Sequence, residues 1–356
     1  MKLTATIRAL FAAIGLGAAL SGCASPPNAP SVSTSAPSAA PAQLSDAGGV
    51  QVAYVEFRNS AFPYHGTIPS SEEGDGGKPF LNVDENGRLG HQSPRGGIYW
   101  EDETYSDRHV LVAASPNFDP KAAGVIVVYF HGNHATLSRD VVSRQQAPRQ
   151  VAASKLNAVL VAPQMAVDAR DSSAGNFWRE GGFAAFLDEA ETKIARYYPN
   201  ATRADFARMP VVIVAYSGGY LPAAFSLAHG GAGGRIKGVV LLDALFGEPD
   251  KFARWIEQER GRAFFVSAYS SSSKSENQAL RERLEHDGVS TETAVPATLG
   301  PGTVVFVDSG DVSHEDFVNY AWTSDPITDV RMRVSQLGRA PIPPCGGGLG
   351  WGVATS

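Results

Sequence analysis

Short apolar runs alternate with longer stretches of mixed polarity along the middle of the chain. Each run holds mainly Val, Ile, Leu, Ala and Phe, a pattern typical of strands that are buried on both faces. Strands that alternate in this way with helices favour a parallel sheet covered on both sides. The sequence therefore predicts an α/β fold class with a mostly parallel, doubly wound sheet and helices on both faces. The predicted strands of this regular part are residues 125–130, 158–162, 211–215, 236–242, 263–268 and 303–307.

The stretches between these strands show helical spacing or helix-start signals. Pro249 opens one predicted helix at its first position, which helix geometry favours. Ser273 and Glu276 form a predicted capping box, and Pro148 is expected to break the first helix. The predicted helices are residues 138–155, 183–198, 220–228, 249–258, 277–286 and 315–322.

The part of the chain that precedes this alternation is less regular. Residues 50–57 and 108–114 are predicted strands, but residues 59–97 are crowded with Gly, Pro, Asp and Asn. Irregular segments of this length are usually either functional or disordered. The predicted globular domain covers residues 49–322, and residues 323–356 are expected to form an irregular C-terminal tail.

The first residues form a predicted targeting segment. Lys2 and Arg8 accompany an apolar run, residues 9–20, which is too short for an ordinary membrane span. The run ends in the sequence LSGC at residues 20–23, which resembles the lipobox of bacterial lipoproteins. The resemblance implies that residues 1–22 are a signal peptide and that Cys23 becomes an acylated N-terminus. A plain secretory signal that is cut a few residues away is the alternative.

Composition predicts a disordered tether and gives no sign of a nucleic-acid partner. Residues 23–48 are rich in Ala, Pro and Ser, which predicts a disordered tether behind the lipidated cysteine. We therefore expect a lipid-anchored membrane protein of the bacterial cell envelope that faces the periplasm or the exterior. The net charge of −6 and the lack of a Lys/Arg cluster give no reason to expect a nucleic-acid partner. Two cysteines provide no disulfide framework.

A serine stands between a predicted buried strand and a predicted helix. Ser217 follows residues 211–215, and the residues two before and two after it are Ala215 and Gly219. Small neighbours are needed there because the turn is tight, and the helix N-terminus then points at the reacting atom. This arrangement resembles the nucleophile elbow of the α/β-hydrolase superfamily, with Ala in place of the first Gly of G-x-S-x-G. The resemblance implies an α/β-hydrolase fold in which Ser217 is the nucleophile.

A serine hydroxyl needs a base, and His314 is the predicted one. Of the eight histidines in the sequence, His314 alone comes just beyond the final predicted strand, where this superfamily keeps its base. The acid has three candidates, because most relatives carry it after the strand that here ends near residue 268 without a carboxylate. Asp243, one strand earlier, is preferred, and Asp308 and Asp311 stay open as competitors.

An oxyanion hole of two backbone N–H groups is the remaining element. Gly218 follows the nucleophile and supplies one predicted donor. The sequence His131-Gly132-Asn133 after the strand 125–130 resembles the HG-x oxyanion motif of the family, which implies that Asn133 supplies the other.

The predicted function is therefore a lipid-anchored serine hydrolase that cleaves a carboxylic ester through an acyl-enzyme. The expected substrate is a small-molecule or lipid ester, with no cofactor. A metal site at His131 and His134, or at Asp308, Asp311 and His314, lacks a recognised spacing and is not predicted. A non-catalytic binding lipoprotein with a hydrolase fold, and a thioesterase or peptidase with the same triad, are the alternatives. For Phe177 and Trp178, an acyl pocket and a place in the core both stay open.

Overall fold

The computed structural model describes residues 45–46, 50–70, 77–154 and 156–334. The predicted signal peptide and Cys23 lie outside the described residues. None of the helices in the described part of the chain is long and apolar enough to cross a membrane.

The main sheet of the described chain has nine strands in the order β1-β2-β3-β5-β4-β6-β7-β8-β9. The six strands from β5 to β9 in this order are parallel, whereas β3 runs antiparallel to both β2 and β5. The predicted fold class, a mostly parallel α/β sheet of the α/β-hydrolase type, is confirmed. The strands are β1 Ser45–Asp46, β2 Gln51–Glu56, β3 His109–Ala114, β4 Val125–Phe130, β5 Ala158–Pro163, β6 Val211–Tyr216, β7 Ile236–Leu242, β8 Phe264–Tyr269 and β9 Val304–Asp308.

The helices cover both faces of this sheet, as predicted. They are α1 Glu101–Thr104, α2 Ala147–Ala153, α3 Gly182–Ala195, α4 Arg203–Ala207, α5 Tyr220–His229, α6 Pro249–Gln258, α7 Lys274–His286, α8 Phe317–Tyr320 and α9 Pro326–Arg333, with a π-helix at Leu137–Arg144. Short 3₁₀ turns lie at Gly175–Trp178, Ser217–Gly219, Gly233–Arg235 and His314–Asp316.

Two hydrophobic cores lie on opposite faces of the sheet because successive side chains of a strand point in opposite directions. In β6, Ile213 belongs to the core that also contains buried side chains of α3, α5, α6 and α7. Its neighbour Val214 belongs to the core that contains side chains of the π-helix, α2, α8 and α9. Full burial of one such side chain contributes roughly 1.5–3 kcal/mol. Strands that are apolar on both faces therefore form the centre of the molecule.

Pro148 divides the first predicted helix, as expected. The chain forms the π-helix Leu137–Arg144 and then α2, in whose first turn Pro148 lies. Proline lacks a backbone N–H and fits the first turn of a helix, so it marks a new start rather than a continuation.

Three sequence predictions are wrong in detail. Residues 326–333 of the predicted irregular tail form α9, because Ile327 and Val330 are spaced to reach the core together. Ser45–Asp46 of the predicted tether pair with β2, whose edge offers backbone partners whatever the side chains are. Ser273 precedes α7 without capping it through its side chain, because its hydroxyl is bound to a carboxylate elsewhere.

The irregular segment before β3 is folded in its described parts. Val83–Glu85, Arg88–Gln92 and Ile98–Trp100 form a three-stranded antiparallel sheet. Thr67–Ile68 pairs with Lys78–Pro79 in a second small sheet. Phe80 of this segment is fully buried and packs against Trp178, with ring centroids 5.8 Å apart. The segment is thus joined to the loop that follows β5.

Candidate active site

The carboxyl ends of three parallel strands bring three distant residues together. Ser217 follows β6, Asp243 follows β7, and His314 lies in the loop beyond β9. Because β7 pairs directly with β6, the first two residues lie on neighbouring strands. Ligands and reacting groups collect at this edge in open α/β sheets.

The turn at Ser217 leaves no room for larger neighbours. Ser217 has a φ of 51°, in the left-handed region that non-glycine residues rarely adopt, and it begins the 3₁₀ turn that leads into α5. A Cβ added to Gly219 would lie 2.8 Å from the carbonyl carbon of Phe130 and closer still to its oxygen. A Cβ added to Gly132 would lie 2.7 Å from Ser217 Cβ. Both glycines are therefore required for the serine to stand where it does.

A continuous chain of hydrogen bonds joins Ser217, His314 and Asp243. Ser217 Oγ lies 2.8 Å from His314 Nε2, and His314 Nδ1 lies 2.7 Å from Asp243 Oδ2. With Nδ1–H donating to the carboxylate, Nε2 is left as the acceptor for the serine proton. The Asp243 side chain is fully buried, whereas that of His314 is 36% exposed, so the imidazole is accessible from solvent.

The two competing carboxylates lie elsewhere. Asp308 Oδ2 accepts a hydrogen bond from Lys274 Nζ at 2.7 Å, and its Oδ1 accepts one from the Gly310 N–H. Asp311 is exposed. Neither side chain contacts His314 by hydrogen bond, so the structure places only Asp243 among the three at the imidazole.

A group of serines that was not predicted from the sequence surrounds Asp243. Oδ1 accepts from the Ser270 N–H at 3.1 Å and from Ser273 Oγ at 2.5 Å, and Oδ2 accepts from Ser270 Oγ at 2.7 Å and Ser272 Oγ at 2.8 Å. Burial alone would raise the pKa of Asp243, but the hydrogen bonds from His314, Ser273 and Ser270 outweigh it and hold the pKa well below its usual range. The signal was the run of four serines after β8.

Two aromatic rings hold the imidazole of His314. The Tyr216 ring stacks on the imidazole, with ring centroids 5.1 Å apart and an interplanar angle of 27°. The Phe246 ring meets the imidazole edge-on, with ring centroids 6.0 Å apart and an interplanar angle of 74°. The Tyr216 hydroxyl donates to the backbone oxygen of His314 at 2.9 Å. Burial raises the pKa of Tyr216 to about 12, so the hydroxyl keeps the proton that it donates. These contacts limit the movement of the imidazole, whose Nε2 lies at Ser217 Oγ.

Asn133 and Gly218, the two predicted oxyanion donors, lie side by side. A Cβ added to Gly218 would lie closer to Asn133 Oδ1 than carbon and oxygen can approach. Gly218 is the second residue of its 3₁₀ turn, so its N–H has no acceptor within that turn. Both residues therefore flank Ser217 at the helix N-terminus.

His131 fixes the peptide group that carries the Asn133 N–H. Its Nδ1–H donates to the oxygen of Gly132 at 2.8 Å, and that oxygen belongs to the same peptide group as the Asn133 N–H. Its Nε2 accepts from the Met165 N–H at 2.9 Å. Burial lowers the pKa of His131 to about 4, so the ring is neutral and fits one donor and one acceptor role.

The other residues considered from the sequence lie in the core or at the surface. Phe177 is fully buried and Trp178 is 6% exposed, and both belong to one hydrophobic core. His134 is exposed on the turn after β4, with a φ of 53°. No group of three or more His, Cys, Asp or Glu side chains in the described residues is placed to hold a metal ion.

Solved structures of esterases are similar to this chain at low identity. The feruloyl esterase module of Clostridium thermocellum is 13% identical with a TM-score of 0.44, over 80% of this chain and 98% of that chain. Esterase 2 of Thermogutta terrifontis is 10% identical with a TM-score of 0.36, and the match covers 59% of this chain and 80% of that chain. A further similar structure is that of an uncharacterised protein from Capnocytophaga ochracea, which is 17% identical with a TM-score of 0.37. The match covers 65% of this chain and 62% of that chain. No family model and no curated protein matches the sequence.

Proposed function

We propose that this protein is a serine hydrolase that cleaves carboxylic esters through an acyl-enzyme. The observation that carries the proposal is the hydrogen-bonded chain from Ser217 through His314 to Asp243 at the carboxyl edge of the sheet. A binding module has no need of a strained serine, a matched imidazole and a buried carboxylate in one line, which favours an enzyme over a non-catalytic lipoprotein.

Acylation begins at the Ser217 hydroxyl and uses every residue of the site. Ser217 Oγ attacks the carbonyl carbon while His314 Nε2 takes the hydroxyl proton. The negative oxygen that develops is stabilised by the N–H groups of Asn133 and Gly218. The imidazolium is stabilised by the ionised Asp243, and it then gives its proton to the leaving alkoxide, which departs as an alcohol.

Deacylation repeats the same proton transfers with water. His314 Nε2 removes a proton from a water molecule, whose oxygen attacks the acyl carbon. The bond to Ser217 Oγ breaks, the proton returns to Ser217, and a carboxylic acid is released. The cycle needs no metal and no cofactor.

The choice of an ester follows from the resemblance of the elbow and the HG-x turn to α/β-hydrolases. An acyl-enzyme mechanism alone would also serve a thioesterase or a peptidase.

The test is hydrolysis of an ester, a thioester and an amide that share one short acyl group, with Ser217→Ala as the control for background. We expect the highest kcat/KM for the ester and none with the variant. Hydrolysis of the amide or thioester alone would contradict the choice, and hydrolysis of none would contradict the function.

We also propose that the enzyme is anchored in the cell envelope by a lipid on Cys23. The proposal rests on the lipobox sequence at residues 20–23 and on the Ala/Pro/Ser-rich stretch behind it. Several acyl chains hold a protein at a membrane stably, whereas a single chain does so only marginally. Cys23→Ser should move the protein from the membrane fraction to the soluble periplasmic fraction, and Cys345→Ser is the matched control. Membrane retention of Cys23→Ser would contradict the anchor.

A further inference from the structure

Ser172 lies between the two residues that carry the proposed oxyanion donors. Its Oγ–H donates to Asn133 Oδ1 at 3.0 Å. A Cβ added to Gly218 would lie 2.6 Å from Ser172 Oγ, so the hydroxyl rests directly over that glycine. The Ser172 hydroxyl thus donates to the turn after β4 and packs against the turn after β6.

Its neighbour in sequence is firmly anchored. Asp171 is 5% exposed, and its carboxylate accepts from Tyr105 Oη at 2.8 Å and from Ser173 Oγ at 3.1 Å. Ser93 Oγ lies 3.3 Å from the same carboxylate and 3.0 Å from the backbone oxygen of Arg170, so its one proton is shared between two acceptors of this loop. None of the described cationic side chains forms an ion pair with Asp171. A buried carboxylate without a cation is costly unless such donors satisfy it. The three hydroxyl groups therefore fix the backbone on both sides of Ser172.

Two of these donors come from the segment before β3. Tyr105 is fully buried, and Ser93 is 2% exposed. The same segment also contacts the backbone of Arg170, whose N–H donates to Tyr99 Oη at 3.1 Å. Residues that are distant in sequence thus hold the loop from which Ser172 reaches the active site.

We propose that Ser172 is a positioning residue for the oxyanion hole, and that Tyr105 and Ser93 hold it in place through Asp171. The proposal rests on the proposed function. Because Asn133 Oδ1 can only accept, the Ser172 proton is committed to it and does not bind the oxyanion itself. Ser172 instead sets the distance between the turns that carry the Asn133 and Gly218 N–H groups. Its contribution is therefore made in the transition state, where these groups meet the negative charge that develops on the carbonyl oxygen.

The kinetic test compares three variants on the ester substrate. Ser172→Ala should lower kcat about tenfold, with KM changed less than about twofold. The expected loss is smaller than the roughly 10²–10³ in kcat that removal of a whole oxyanion donor costs, because the variant displaces the donors without removing them. Ser172→Thr, which keeps the hydroxyl, should recover most of the loss. Ser143→Ala removes an exposed hydroxyl that donates to the oxygen of Ser138, and it should behave like the wild type. Wild-type kcat in Ser172→Ala, a change in KM alone, or no recovery with Thr would overturn the proposal.

A second measurement does not depend on catalysis. The His134 N–H donates to the oxygen of Ala169 at 2.9 Å and so joins the turn after β4 to the loop that carries Ser172. Amide hydrogen exchange at His134 should become faster in Ser172→Ala and return toward the wild-type rate in Ser172→Thr. Unchanged exchange would overturn the positioning role. If the wild-type protein hydrolyses no ester, the proposed function fails, and the exchange rates alone decide whether Ser172 holds its loop to the turn after β4.

Discussion

Replacement of Asp243 by Asn tests the geometry of the site most sharply, because the two carboxylate oxygens have different kinds of partner. Asp243 accepts from five donors, and one of them, the Ser270 N–H to Oδ1, is a backbone group that cannot reverse its role. The amide NH₂ of Asn would face this N–H unfavourably. The NH₂ group of the introduced Asn will therefore occupy the position of Oδ2, where the neighbouring serine hydroxyl groups can rotate and His314 can change tautomer.

This orientation has a defined kinetic consequence. With an NH₂ group opposite Nδ1, the imidazole carries its proton on Nε2 and can no longer accept one from Ser217. The corresponding substitution in a serine protease lowers kcat about 10⁴-fold, equivalent to about 5 kcal/mol of transition-state stabilisation. We expect Asp243→Asn to lower kcat by a similar factor while KM changes little, since the substrate contacts are unaltered.

The controls are Asp308, the last residue of β9, and Asp311 in the loop that leads to His314. Asp308→Asn removes an exposed ion pair with Lys274, and pairs of this kind contribute little. Asp311→Asn alters an exposed side chain. Both variants should keep kcat within about twofold of the wild type in steady-state ester hydrolysis. A kcat for Asp243→Asn above about a tenth of the wild-type value, or a larger loss in either control, would refute the assignment of the acid.

Three further outcomes follow from the contacts around the site. Tyr216→Phe removes the hydrogen bond to the His314 backbone and should lower the free energy of unfolding by about 1 kcal/mol in urea, with a several-fold lower kcat. Gly219→Ala forces a Cβ against the Phe130 backbone and should destabilise the fold by about 1–3 kcal/mol or more, whereas Gly300→Ala meets open space and should not. His131 has a pKa lowered from 6.5 to about 4, so it contributes stability that is fully present above pH 6.5 and is lost as the pH falls toward 4. Urea unfolding at pH 7.5 and 4.5 should show this loss in the wild type, and a smaller one in His131→Gln.

Elements with an unbroken local pattern were predictable from sequence. The strand at 125–130 was predicted with its observed bounds because every residue in it is buried and apolar. Ser217 stood out because its turn demands small neighbours, which is a local requirement. α9 was missed because it lies in a short stretch with few apolar residues, whose burial depends on the core it packs against.

Contacts between distant parts of the chain were not predictable in the same way. The order of motifs could not separate Asp243 from Asp308 and Asp311, since that choice depends on which strands are neighbours and where each side chain turns. The serines around Asp243 and the bond from Tyr105 to Asp171 join segments 27 to 66 residues apart. Such contacts follow from the assembled sheet and leave no periodic signal in the sequence.

The identity of the nucleophile is the central claim, and covalent labelling tests it most directly. A fluorophosphonate probe reacts with an activated serine whatever the natural substrate is. Mass spectrometry of the digested, labelled protein should place one adduct on Ser217, and Ser217→Ala should not be labelled. Ser275→Ala, which lacks an exposed hydroxyl away from the triad, should be labelled at the wild-type rate. Labelling of Ser217→Ala at the wild-type rate, or an adduct on a different serine, would contradict the account.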